Sequence, residues 1–328
     1  MQILQEIILI IILSVSFDCF IGEPPNSIHP VVWIGKGINF FTKQIKEKDI
    51  EKFKLDEKKS GSIFALSFTS ILGIFAYVII VQSVYVLGPI AFIFLSVFIF
   101  KSTFSIKAMD KHINDILKDI EKKDIENARH NLSKIVSRNT NTLSEEKILS
   151  ASIECIAESY VDGIISPMIY YGILNIPGAL MFRTINTLDS MIGYKDKYYK
   201  NIGWMSAKMD TIMNWIPARI SIIFLVSSSL ILKQDWKNAI LIYKRDGKKT
   251  ESLNSGIPMS IVAGALKIQL EKINHYKLGE KVEQITIEKC KIAIKITKVA
   301  TLIFITVFLF PIIILLNFLN WWSIFFGY

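Results

Sequence analysis

Between Ile63 and Phe100 the chain carries no charged residue. A run of this kind has no place on the surface of a soluble domain, and since about 20 apolar residues cross a bilayer it has room for two crossings. Gly88-Pro89 interrupts it: proline offers no backbone N–H and glycine adopts backbone angles that other residues avoid. Two spans are therefore expected, near 63–82 and 84–100, joined by a tight turn at Tyr85–Pro89. Further apolar stretches predict spans near 3–22, 216–232 and 299–318. Residues 164–182 are equally apolar but contain Pro167, Gly172, Pro177 and Gly178, which predicts a broken or re-entrant segment. Trp321, Trp322 and Tyr328 suit a membrane interface. With 51% hydrophobic residues and a mean hydropathy of +0.40, residues 1–328 are expected to form a single integral membrane domain. The expected fold is all-α: a polytopic α-helical membrane protein with cytoplasmic helical insertions.

The net charge of +9 is carried mainly by lysines in segments 36–59 and 233–298, which the positive-inside rule assigns to the cytoplasmic side of the cell membrane. These lysines flank apolar stretches and belong to no nucleic-acid-binding motif, so no nucleic-acid partner is expected. The lipid bilayer is the expected partner. The cysteines Cys19, Cys155 and Cys290 lie far apart and show neither disulfide nor zinc spacing. Ile106, Met109, Ile113, Ile116, Leu117 and Ile120 recur at helical spacing, so 101–131 reads as an amphipathic helical hairpin. Thr142 and Glu145 fit a capping box opening the next helix, which is expected to end at Gly163. No strand of useful length is expected.

Three constellations stand out against this background. Glu154, Glu158 and Asp162 recur every fourth residue, which aligns them along one helical stripe. Carboxylates so placed repel one another unless a cation sits among them, and such hard oxygen ligands suit Mg²⁺ with substrate phosphates. Arg183, Asn186 and Ser190 share a helical face with Asp189 at its edge, and Asp210 and Asn214 follow at i,i+4. The chain holds only five arginines against 33 lysines, and four of the five lie between Arg129 and Arg219. Arginine in an otherwise lysine-using chain points to sites that need a rigid, two-pronged donor for phosphate or carboxylate. Asn254-Ser255-Gly256 forms a loop-to-helix entry after a basic patch, where an anion could rest on a helix N-terminus. Walker A, HExxH, GxSxG and dinucleotide-binding glycine motifs are absent.

The motifs together resemble the adenosylcobinamide-phosphate synthases, or cobyric acid aminopropanol ligases, of cobalamin biosynthesis. The likeness begins at Asp18, Gly22-Glu23-Pro24 and His29-Pro30-Val31. It continues through Ser137-Arg138-Asn139-Thr140, Glu154, Glu158 and Asp162-Gly163. It is most specific at Pro177-Gly178-Ala179, Arg183, Asn186-Thr187-Leu188-Asp189-Ser190-Met191, Gly193-Tyr194 and Gly203-Trp204. Asp210, Asn214-Trp215-Ile216-Pro217-Ala218-Arg219 and Ser252-Leu253-Asn254-Ser255-Gly256-Ile257-Pro258 complete it. The chain departs from the family pattern at Glu23, Asn139, Ser159 and Leu253.

The resemblance implies an ATP- and Mg²⁺-dependent carbon–nitrogen ligase that attaches (R)-1-aminopropan-2-ol or its O-phosphate to the free propionate carboxylate of adenosylcobyric acid. It implies metal ligation by Glu154, Glu158 and Asp162, and catalysis by His29, Asp189 and Arg183, with His29 or Asp189 taking the amine proton. Arg138, Asn186, Tyr194, Asp210, Asn214, Arg219 and Asn254 are the implied substrate- and phosphate-binding residues. A homo-oligomer, or a complex with other cobalamin-assembly enzymes, is the expected protein partner. The competing class is a multispanning, ion-coupled transporter of an anionic small molecule, since carboxylates in apolar helices also serve carriers.

Overall fold

A computed structural model describes residues 2–47 and 56–322. Tyr328 and part of the lysine-rich connector at 43–59 lie outside the described residues. The chain is an all-α polytopic membrane protein. It divides into two compact units, each assembled from separated segments. One comprises Met1–Ser105, Ser166–Met213 and Leu309–Tyr328, and the other Ile106–Ile165 and Asn214–Phe308. By length and composition, three helical stretches among the described residues are able to cross a membrane: Glu57–Ser83, Glu145–Ile192 and Ile287–Phe318. A fourth arises if the bent pair Trp204–Met213 and Trp215–Ile231 counts as one span.

The first unit contains α1 (Gln2–Phe20), α2 (Pro30–Glu47) and α3 (Glu57–Lys101), then α7 (Ser166–Ile192), α8 (Trp204–Met213) and α13 (Phe310–Phe318). Helix α3 packs on α1, α7 and α8. It breaks where expected, at Gly88 (φ 79°, ψ 170°) beside Pro89. The piece beyond the break, Gly88–Lys101, is shorter than the span expected at 84–100. Helix α7 is likewise broken, at Leu174 and Asn175, and Asn175 adopts φ 55°. Pro177 lies just beyond and lacks the N–H that would continue the ladder. Inside the unit Phe100 stacks on Tyr171 with ring centroids 3.9 Å apart.

The second unit holds α4 (Lys107–Glu121), α5 (Ile125–Ser133), α6 (Glu145–Tyr160) and a π-helical turn at Val161–Ile165. It continues with α9 (Trp215–Ile231), α10 (Trp236–Asp246), α11 (Gly256–Leu266), the strands β1 (Gln269–Lys272) and β2 (Tyr276–Gly279), and α12 (Ile287–Ile303). The amphipathic hairpin forms as its spacing predicts. Ile113, Ile116, Leu117 and Ile120 of α4 are buried, each contributing about 1.5–3 kcal/mol. Asp124 caps α5 by accepting from Asn127 N at 3.1 Å. Every residue of α11 is buried, and a Cβ on Gly264 would come within 2.7 Å of Ala239 Cα on α10. That glycine lets the two helices touch.

Three expectations need correcting. The residue preceding α6 is Ser144, and no side chain caps that helix, so the Thr142–Glu145 capping box does not form. The helix does not end at Gly163, because helical backbone continues through the π turn at Val161–Ile165. A short antiparallel hairpin also forms where no strand was expected, pairing Gln269 with Gly279 and Lys272 with Tyr276. Four-residue strands are too short to reveal an alternating pattern.

Candidate functional site

The second unit contains a pocket of about 260 Å³ whose walls include Arg138, Glu154, Glu158, Lys272, His275 and Tyr276. Helix α6 supplies its acidic wall. Ser150, Glu154 and Glu158 follow at intervals of four, on adjacent turns of one face. Glu154 is buried at 2% exposure, and three groups hold it. Ser150 Oγ donates to Oε1 at 2.9 Å, Tyr276 Oη donates to Oε2 at 2.8 Å, and Arg138 Nη2 pairs with Oε2. Burial alone would lower the Arg138 guanidinium, but the Glu154 carboxylate outweighs it and raises it. Burial and Glu154 together push the Tyr276 phenol far above its ordinary value, so it remains a donor.

The hairpin brings the opposite wall. Its Glu271 N–H donates to Ser150 Oγ at 3.1 Å, and Glu271 forms ion pairs with Lys147 and, at 3.2 Å, with Lys277. The bond to Lys147 pulls the Glu271 carboxyl below its ordinary value against the opposing effect of burial. Register then sets Tyr276 beside Lys272, with His275 in the connecting turn. His275 Nδ1 lies 3.0 Å from Glu251 Oε1. A carboxylate only accepts, so Nδ1 carries a proton, and in the neutral ring Nε2 is the nitrogen left to accept.

The expected Glu154–Glu158–Asp162 metal cage is not built. Among the described residues no group of three His, Cys, Asp or Glu side chains is arranged to hold a metal ion. Glu154 has both oxygens engaged by the protein, and Asp162 falls within the π turn, whose wider winding breaks the four-residue stripe. Only Glu158 of the three is an exposed carboxylate on the pocket wall.

Two expected binding residues meet elsewhere in this unit. Arg219 Nη1 donates to Asn254 Oδ1 at 2.7 Å and to Trp215 O at 2.9 Å, and its guanidinium lies 4.4 Å from the Trp215 ring centroid. Asn214, at the entry to α9, is buried at 1% exposure.

The first unit gathers the other predicted residues. Arg183 Nη1 donates to Asn186 Oδ1 at 3.1 Å, and Asn186 Nδ2 donates to Asp210 Oδ1 at 3.2 Å, clasping α7 to α8. Asp189 and Tyr194 flank the end of α7. A Cβ on Gly193 would come within 2.6 Å of the backbone carbonyl oxygen of Asp189, so that turn admits only glycine. Near α1, His29 Nε2 donates to Glu23 Oε2 at 3.0 Å while Nδ1 accepts from Val31 N at 3.2 Å. Both ring nitrogens are engaged, so His29 presents no lone pair for an amine proton. Glu23 and Asp18 meet Lys101 Nζ at 3.0 and 2.9 Å. Burial would raise the Glu23 carboxyl, yet bonds from His29 and Lys101 bring it down to about 2.

Sequence reasoning missed Lys101, Tyr276, Lys272 and the Glu251–His275 pair. Lys101 carried one signal, since it is the first charge after the long uncharged run. The others lie on a hairpin and a loop with no periodicity.

Residues 11–306 match the family model described as CobD/Cbib protein. The chain is 34% identical over 295 residues to the "Probable cobalamin biosynthesis protein CobD" of Methanothermobacter thermautotrophicus, covering 90% of this chain and 94% of that one. It is 38% identical over 302 residues to the protein of the same name from Methanococcus maripaludis, covering 91% and 96%. It is 34% identical over 283 residues to the "Cobalamin biosynthesis protein CobD" of Dehalococcoides mccartyi, covering 84% and 88%. No solved structure matches. None of these names describes a carrier, and nothing in them supports the transporter alternative. With a family match that runs through both compact units and relatives alike over nearly their whole length, the chain belongs to the CobD/Cbib protein family.

Proposed function

We propose that this chain is a membrane-bound ligase of cobalamin biosynthesis, working in the cell membrane. It joins the free propionate carboxylate of adenosylcobyric acid to (R)-1-aminopropan-2-ol or its O-phosphate. The family and the names of its members support the pathway. The observation that carries the reaction class is the pocket of the second unit, where acidic and basic groups line one cavity. Such mixed charge suits a ligand that carries both an ammonium and an anion.

Amide formation from a carboxylate and an ammonium releases water and is uphill. ATP would supply the phosphoryl group that makes a carboxylate oxygen a leaving group, and Mg²⁺ would offset the phosphate charge. The donor set fits Mg²⁺ only as an ion shared with phosphate and water, because Glu158 is the one exposed carboxylate of the predicted three on the pocket wall. Arg138, anchored by Glu154, offers fixed positive charge to the phosphate or the activated carboxylate. Glu158 would hold the metal ion from the pocket wall. His275, oriented through Nδ1 by Glu251, takes the amine proton at Nε2, the role expected of His29 or Asp189 from sequence. The clasp of Arg183, Asn186 and Asp210 fixes α7 against α8 in the first unit.

Carboxylate-¹⁸O-labelled cobyric acid tests this reading. Purified protein in detergent, given ATP, Mg²⁺ and the amine, should yield the amide and phosphate that carries the label. Absence of amide, or amide formed without label passing to phosphate, would overturn it.

A further inference from the structure

The second unit holds another cavity, of about 430 Å³, whose walls include Trp215, Arg219, Tyr243, Lys244 and Lys248. No carboxylate is among its lining residues, which separates it from the mixed-charge pocket. The basic segment at the end of α10 explains how this arises. Arg245 and Lys249, four apart, both turn to the buried Asp246, with contacts of 2.8 and 2.6 Å. Asp246 also accepts from Gly279 N at 2.8 Å, and these bonds hold its carboxyl far below its ordinary value against the cost of burial. Lys244 and Lys248, also four apart, face the cavity instead. Cations in a last helical turn favour the helix dipole, which accounts for Lys244 in part. It does not account for Lys248 beyond the helix end, nor for Arg219 arriving from α9.

Arg219 is held in place. Asn254 Oδ1, Trp215 O and, at 3.3 Å, Leu253 O fix its guanidinium, and the Trp215 ring covers one face. Ile257, in the first turn of α11, adds an apolar side to the wall. A fixed guanidinium, two lysines and two aromatic rings around one cavity form a cradle for phosphate carried on an organic body.

We infer that this cavity binds a phosphate-bearing ligand, with the phosphate at Arg219, Lys244 and Lys248 and the organic part against Trp215 and Tyr243. The inference stands on the charge of the cavity and does not depend on the ligation reading. The same chemistry is offered by a soluble organophosphate and by an anionic phospholipid headgroup at the membrane surface.

Binding to the purified full-length protein in detergent tests it without any turnover. ATP and inorganic phosphate serve as soluble probes by thermophoresis. Phosphatidylglycerol, compared with phosphatidylcholine, serves as the lipid probe by native mass spectrometry. At least one class should bind, and Lys244→Gln/Lys248→Gln should weaken it by at least about tenfold, as expected for loss of charge-assisted contacts. Lys281→Gln, which removes an equal charge from a surface pair with Glu146, should leave it unchanged. Loss confined to ATP and phosphate identifies a soluble ligand, and loss confined to phosphatidylglycerol identifies a lipid. Should neither class bind, or should the double variant bind as tightly as the parent while melting at the same temperature, the inference fails.

Discussion

Asp18 in the first unit and Glu154 in the second are both carboxylates withdrawn from water, at 0% and 2% exposure, and each meets a cation. Their surroundings differ. Lys101, the partner of Asp18, is itself 0% exposed, and it also meets Glu23 and the carbonyl and ring of Phe104. The Asp18–Lys101 pair itself is closed off from water, although Glu23 beside it is exposed. Arg138, the partner of Glu154, stands in a pocket wall with the exposed carboxylate of Glu158 one turn along α6. Charge in an oily helical protein is therefore not in itself a mark of chemistry. A buried acid matched by a buried base is architecture, and the same pair with one side open to a cavity is a candidate site.

Breaking each network should give a different kind of damage. Lys101→Met leaves Asp18 buried without its cation and should cost about 3–5 kcal/mol, read as a fall in melting temperature in detergent. Adding Asp18→Asn should recover much of the loss, because the two changes share one interaction. An unchanged melting temperature in the single variant would show that the buried Asp18–Lys101 pair does not stabilise the fold. Glu158→Gln should act in the opposite way. Amide formation should drop by about 10²-fold at fixed Mg²⁺, as for loss of a group that offsets transition-state charge. Its melting temperature should hold, since exposed substitutions stay within about 0.5 kcal/mol. Equal Mg²⁺ dependence in variant and parent would remove Glu158 from the metal.

Smaller effects sharpen the contrast. Tyr276→Phe removes one of three hydrogen-bonding partners of Glu154 and should cost about 1–2 kcal/mol, measured by thermal unfolding. A neutral result would mean that the hairpin is not fastened through that bond. Acid titration should touch the first unit at Glu23. Its folded pKa of about 2 lies below its ordinary value of 4.5, so its stabilising effect is complete above pH 4.5. That effect is lost as pH falls through about 2. Glu23→Gln should remove this part of the acid dependence, and an unaltered acid profile would contradict it.

What the chain discloses in advance follows from periodicity and backbone chemistry. The spacing of Ile113, Ile116, Leu117 and Ile120 predicts α4, and Gly88-Pro89 predicts the break in α3, because both signals are local. The same holds for the broken α7, where Pro177 follows Asn175. Nothing in Val161-Asp162-Gly163-Ile164-Ile165 announces a π turn, so a perfect four-residue stripe of acids reads as a metal site that the backbone does not build. Lys101 reads as a span's polar end, since its partner Asp18 is 83 residues away and paired only by tertiary packing. Lys272, His275 and Tyr276 depend on a hairpin whose strands are too short to be read.

Arg138→Lys tests the account most directly, because it keeps the positive charge beside Glu154 and removes the planar fork. Amide formation from ATP, cobyric acid and the amine should be measured in the purified variant together with its melting temperature. Product formation reduced by about 10²-fold in a protein that still melts cooperatively is the expected result. Product at the parent rate would mean that the bond is made somewhere other than the pocket of Arg138, Glu154 and Glu158.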